Sequence, residues 1–280
     1  VVLIVSLLIP ILMLYSYFYK VSVDVVKSQV VSNNWNRLSF FMSQMESTID
    51  QLTKFSVVAS RLPSMRDFLE GGETETAYER FRKRARIEEQ LILQNATSVW
   101  VGQLTVFMPD LKDMISTDYS IAYDEVQDLL RRESQKWTHI EAKGVNEESA
   151  YFSRYTHTRL NDKELLVEVR FQDDNIRNML SEFKRTGGTS PFFYHPELGT
   201  IQNRDSDAVV IEQLVSELNR ITLDSGGSKT IAIDRGRYSV NYLQSKSLGW
   251  YLIDYEPIED ILSPITKSRN LFYVSVALLL

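Results

Sequence analysis

The two ends of the chain constrain it most, because each holds a run without charge. Val1–Tyr19 contains no Asp, Glu, Lys, Arg or His. Sixteen of its nineteen residues are Val, Ile, Leu, Met, Phe or Tyr; Ser6, Pro10 and Ser16 are the others. At about 1.5 Å per residue this approaches the roughly 20 residues that cross a bilayer as a helix. Tyr15, Tyr17, Phe18, Tyr19 and Lys20 close the run as an interfacial aromatic belt would. A signal peptide would have a shorter apolar region followed by a small-residue cleavage site, and no such site is evident. Residues 1–20 are therefore expected to form a transmembrane helix. Leu271–Leu280 is a second uncharged run, too short to span alone. Residues 261–280 are expected to be an exit helix entering a second membrane helix that continues past Leu280.

The 246 residues from Val21 to Thr266 then form one loop, on one face of the membrane. All 37 acidic residues lie in it, whereas Lys20, Lys267 and Arg269 lie outside, so its net charge is −9. An acidic loop of this length suits the outer face. The expected location is the cell membrane, with residues 21–266 extracellular. The acidic balance excludes this segment as a dedicated nucleic-acid binder. The absence of cysteine removes disulfide frameworks, cysteine-ligated zinc and thiol catalysis.

Residues 21–62 lack glycine and proline. Val26, Val30, Leu38, Phe41, Met45, Ile49, Leu52, Phe55, Val58 and Leu62 recur mostly at gaps of three and four, one stripe of a long helix. Forty residues would reach on the order of 60 Å, so this is a spine, ended or bent by Pro63. A second helix is expected over Glu73–Gln94, and strands over Ser98–Met108, Met114–Thr117, Tyr151–Thr158 and Glu164–Phe171. Helices are expected over Tyr123–Glu133 and from Asp173 or Asp174 to Lys184. A second half repeats the order: strands at Pro191–Tyr194 and Thr200–Gln202, a helix at Ala208–Leu223, then strands at Lys229–Asp234, Tyr238–Gln244 and Trp250–Tyr255. Helices on one face of an antiparallel sheet make an α+β layer fold, here PAS-like and used twice. The expected organisation is a membrane helix (1–20), the spine (21–62), a membrane-distal subdomain (63–185), a membrane-proximal subdomain (186–260) and the exit helix (261–280).

This order resembles the double Cache extracellular sensors of bacteria over nearly the whole chain. The stretches SLLIPILMLYSYFY, SVWVGQLTVFMPDLKDMIST and SLGWYLIDYEPIEDILSPITKSRNLFY resemble the sensor regions of Gram-positive transmembrane histidine kinases that work with AraC-type response regulators. The membrane-bound AraC-type regulator with its own Cache sensor is a close relative. The resemblance implies an output module after Leu280. A chemoreceptor or cyclase output stays open, as does a non-sensing adhesion or scaffold module.

No phosphate-binding glycine loop, H-E-x-x-H or G-x-S-x-G occurs. His139, His157 and His195 are far apart in sequence, which points to structural or surface roles. No catalytic residue, metal site or cofactor is expected. In PAS-like units a small molecule sits between the sheet and its covering helix, within aromatic walls and a few polar groups. The candidate ligand residues are Trp100, Phe107, Tyr119, Tyr151, Arg154 and Tyr155. On a strand, Tyr151, Ser153 and Tyr155 share one face and Phe152 and Arg154 the other. Arg154 could bind a carboxylate or a sugar hydroxyl. The amino-acid-binding branch of the family carries an arginine shortly before a Trp-Tyr pair; here Thr138 follows Trp137. The expected partners are a small-molecule or carbohydrate ligand, or a solute-binding protein, and a second copy joined through the spine as a homodimer.

Overall fold

The computed structural model describes residues 2–71, 75–100, 102–118, 136–141, 150–187 and 189–279, with the side chains of 2–9, 187, 278 and 279 left aside. The chain divides into two compact units. Unit I comprises Ser43–Glu182 and the loop Ser245–Trp250; unit II comprises Val1–Met42, Phe183–Gln244 and Tyr251–Leu280. Each unit holds one five-stranded antiparallel sheet, so the expected α+β fold with a long N-terminal helix and two PAS-like sheets is the one observed.

Helix α1 runs from Val2 to Ala59. Leu38, Phe41, Met45, Ile49 and Leu52 are buried, as their spacing predicts. Past Leu52 the buried side shifts. Ser56 and Ala59 are buried, while Val58 is 51% exposed. The shift has a polar cause: the Ser56 and Thr156 hydroxyls bond at 2.6 Å, which a bulky apolar residue at position 56 would prevent.

In unit I, α2 (Pro63–Leu69) and α3 (Ala77–Ala96) follow. Helix α3 starts later than expected, at a capping box in which Thr76 and Glu79 satisfy each other's backbone donors. Strands β1 (Gly102–Met108), β2 (Asp113–Ser116), β3 (Thr138–Ile140), β4 (Tyr151–Leu160) and β5 (Lys163–Gln172) form a sheet of order β2-β1-β5-β4-β3. β1 begins four residues after the expected start: Val99 and Trp100 lie in bends, and Trp100 is buried against Phe171. The β4–β5 turn places Asn161 and Asp162 at positive φ, 52° and 60°, a conformation that Asn and Asp tolerate best among residues with a Cβ. Helix α4 (Asp173–Gly187) follows, with Ile176, Leu180 and Phe183 buried. The helix expected over Tyr123–Glu133 lies outside the described residues.

In unit II, β6 (Phe192–His195), β7 (Gly199–Gln202), α5 (Ala208–Leu218), β8 (Gly226–Ile233), β9 (Gly236–Gln244) and β10 (Tyr251–Pro257) precede helix α6 (Ile258–Leu279). The sheet order is β7-β6-β10-β9-β8. β8 starts three residues before the expected Lys229. Gly226 leaves room there, because a Cβ would lie 2.8 Å from the side chains of both Trp35 and Leu243 and displace them. Asp207 caps α5 through Val210 N at 3.2 Å. Asp207→Ala should cost about 1 kcal/mol, read as a lower urea midpoint with an unchanged slope. Within this unit α1 and α6 meet where Tyr15 stacks on Phe272 at 3.7 Å and Arg269 donates to the Tyr19 hydroxyl at 3.1 Å. Among the described residues no helix is long and apolar enough to cross a membrane, so the two expected membrane helices are not shown.

Candidate functional site

The two sheets treat their helix-side faces in opposite ways. In unit II that face is filled. Tyr194, Tyr238, Tyr242, Tyr251 and Tyr255, with Phe192 and Ile253, pack on Val210, Ile211, Leu214 and Leu218 of α5. Charge in this sheet sits on its other face, where Asp254 of β10 meets Arg37 of α1 at 2.8 Å.

In unit I the pattern is reversed. On β5, Leu165, Val167, Val169 and Phe171 alternate with Leu166, Glu168, Arg170 and Gln172. Register places Tyr155 and Thr105 beside Glu168, and Ser153 and Gln103 beside Arg170. One face of this sheet therefore carries a polar layer. Thr105, Ser116, Ser153 and Glu168 are all buried within it.

Glu168 organises the layer. Its Oε1 accepts from Ser153 Oγ at 2.7 Å, Tyr155 OH at 2.8 Å and Arg170 Nε at 2.5 Å. Its Oε2 is buried without a donor. Burial works against the Arg170 charge, but the Glu168 carboxylate outweighs it and holds the guanidinium above its ordinary range. Burial, then the Glu168 charge, pushes the Tyr155 hydroxyl well above the ordinary tyrosine range, so it stays a donor.

Beside this layer lies a cavity of about 450 Å³, within the range of small-molecule sites. Its polar wall comes from Asn95, Gln103, Thr117, Asp118, Arg170 and Gln172. Ile92, Gly102, Tyr151 and Phe171 complete it. Tyr151 presents its ring to the Arg170 guanidinium at 4.7 Å. Gln103 donates to Asp118. Asn95 Nδ2 donates to the Gly102 carbonyl at 2.6 Å.

The candidate ligand residues separate into two groups. Tyr151, Tyr155 and Phe107 lie on the polar face; Tyr151 walls the cavity, and Phe107 packs with Met114 and Leu166 against Tyr155. Trp100 and Arg154 lie on the other face. Trp100 packs on Phe171 with ring centroids 4.8 Å apart and planes tilted by 55°. Arg154 donates to Thr53 Oγ1 of α1 at 2.9 Å, an oxygen that also accepts from Trp137 Nε1 at 3.2 Å. Burial lowers the Arg154 pKa there. Tyr119 lies outside the described residues. Glu168, Arg170, Gln103 and Asn95 were not among the candidates. The legible signal was Glu168-x-Arg170-x-Gln172, polar residues at period two in an otherwise apolar strand.

The histidines make separate local contacts. His139 meets Asp173 at 3.0 Å and packs its ring on Phe152 and Trp250. His157 pairs with Glu164 at 2.7 Å. His195 Nδ1 accepts from the backbone of Glu197 and Leu198. No cluster of three or more metal-ligating side chains occurs among the described residues.

The fold is one shared with solved ligand-binding and sensory domains. No family model and no curated protein matches the chain, but solved structures do. The ligand-binding domain of Mlp24, solved with asparagine, matches at a TM-score of 0.55 and 11% identity, over 89% of this chain and 99% of that one. The sensory domain of the Campylobacter jejuni chemoreceptor Tlp3, with isoleucine bound, matches at 0.56 and 10% identity, over 86% and 97%. The extracellular domain of mmHK1S-Z3, named as a histidine kinase, matches at 0.57 and 13% identity, over 87% and 98%. These likenesses agree with the double-Cache architecture expected from the sequence.

Proposed function

We propose that the chain is the extracellular ligand-sensing region of a transmembrane signalling receptor, of the sensor histidine kinase kind, with unit I as its ligand-binding half. The observation that carries this is the contrast between the sheets. Unit II fills its helix-side face with tyrosines and α5, whereas unit I keeps a buried polar layer beside a cavity. Buried polar groups are costly unless paired, so a polar layer set beside a cavity supports binding more than packing. The ligand is a small molecule or a carbohydrate, held directly or delivered by a solute-binding protein. The proposal places residues 21–266 outside the cell, flanked by membrane helices, with an output module beyond Leu280. In it the segments 63–185 and 186–260 act as distal and proximal subdomains.

Solved relatives of this fold include both a chemoreceptor and a named histidine kinase; the full-length sequence distinguishes these outputs from an AraC-type one. Val25, Phe40 and Val58 of α1 are each more than half exposed, which supports a homodimer through the spine. Sedimentation should show dimers that Phe40→Glu dissociates.

The test is a thermal-shift screen of the 280-residue chain in detergent against sugars, organic acids and amino acids. A true ligand at 100 times its Kd adds about 2.7 kcal/mol, an upward shift of about 5–10 °C in Tm. Gln103→Ala and Tyr151→Ala should abolish the shift. If no compound stabilises the chain, or if both variants respond as the wild type does, direct sensing at this cavity is wrong.

A further inference from the structure

The chemistry of the cavity wall narrows the ligand class, on the reading that unit I binds a small molecule. Among the described wall residues Arg170 is the one cation. Its Nε is held by Glu168 at 2.5 Å, and its plane lies 4.7 Å from the Tyr151 ring centroid. Its two terminal nitrogens donate to no described residue. A guanidinium fixed on one edge, with donors free on another, matches the two oxygens of a carboxylate.

A second observation concerns the other polarity. Asn95 Oδ1 is buried and accepts from nothing, although Asn95 Nδ2 is bonded to Gly102 O. That oxygen lacks a donor, which is unfavourable for a buried acceptor, and Asn95 lines the cavity from which a hydroxyl would supply one. The wall has one carboxylate, Asp118, and it already accepts from Gln103. The remaining polar groups, Gln103, Thr117 and Gln172, are neutral. Such a wall suits hydroxyls, which donate and accept in turn. It suits a primary ammonium less, because that group has three donors to satisfy and loses more hydration on entry.

We propose that Arg170 anchors the carboxylate of a small hydroxylated acid, of the sugar-acid class, whose hydroxyls bond Asn95 and Gln103. Glu168 is the positioning residue that turns the Arg170 fork into the cavity.

Titration calorimetry on the 280-residue chain in detergent, with glucuronate, glucose and alanine as probes, tests this. Glucuronate should bind, and glucose, which lacks the carboxylate, should bind on the order of 10- to 100-fold more weakly. Alanine, which lacks the hydroxyls, should also be weaker. Arg170→Lys keeps a cation beside Glu168 but loses the fork, and should weaken glucuronate by about tenfold or more. Asn95→Ala leaves the Arg170–Glu168 pair intact and should weaken it by about five- to tenfold. Equal affinity for glucuronate and glucose, or wild-type binding by both variants, overturns the carboxylate anchor. Alanine binding more tightly than glucuronate overturns the hydroxyl half. If none of the three binds, the ligand class is wrong, while the sensor reading is decided separately by the broader screen above.

Discussion

Arg37→Ala should be among the most destabilising single changes in the molecule, at about 3–5 kcal/mol. In unit II the Arg37 guanidinium donates to Asp254 at 2.8 Å and to Thr189, and lies 4.5 Å over the Phe183 ring. The Asp254 side chain is only 1% exposed, and its Oδ1 has no donor. Removing the arginine strands a buried carboxylate. The pH dependence follows from the sign of the Asp254 shift. Burial raises its pKa, while Thr189 and Arg37 pull it back down. A raised folded pKa means that the folded state holds the proton where the unfolded state has lost it. Stability from this group therefore rises as pH falls through the raised value towards the ordinary one of about 4. Without Arg37 the pKa rises further, so the deficit of Arg37→Ala should be larger at pH 8 than at pH 5. Urea denaturation at the two pH values measures it, and equal deficits would contradict the account. Replacing both partners with apolar residues, Arg37→Met with Asp254→Leu, should recover much of the loss.

Glu168→Ala should cost a similar amount, about 3–5 kcal/mol, because Ser153, Tyr155 and Arg170 lose their shared acceptor at once. Fluorescence reads this well: three of the four tryptophans, Trp100, Trp137 and Trp250, lie in unit I. The double change Glu168→Leu with Arg170→Leu should be milder than Glu168→Ala in its urea midpoint, since no charge is left buried alone. It should nonetheless remove the ligand-induced rise in Tm. That split separates a binding layer from a purely structural one. If the double variant still shows the full ligand response, the polar layer does not serve binding.

Much of the architecture was legible because it follows from periodicity. The three-and-four spacing of Leu38, Met45 and Ile49 marks the buried side of α1. Alternation of apolar residues on β4 and β5 marks two faces. What the spacing did not show was set by tertiary contacts. The buried side of α1 shifts to Ser56 because a hydroxyl from β4 meets it. β8 begins at glycines, which weaken a strand by propensity yet leave room for the Trp35 and Tyr242 side chains beside the backbone.

The site was legible in part for the same reason. Tyr151 and Tyr155 were recognisable as aromatics on one face of a strand. Arg154 was an equally plausible anchor, since a strand's two faces look alike until one of them meets the spine. Glu168 was legible only as one of three polar residues at period two in β5. Its burial depends on Ser153, Tyr155 and Arg170 converging on one oxygen, and only the register of β4 against β5 brings them there.

The central claim is that the ligand sits in unit I, on the polar face of the first sheet. Hydrogen–deuterium exchange, with and without the best-stabilising compound from the screen, tests it most directly. The account predicts new protection in β1, β2, β4 and β5, around Gln103, Ser116, Tyr151 and Arg170. Protection centred instead on α5 and the tyrosine-filled face of β8–β10, with none in those four strands, would contradict it.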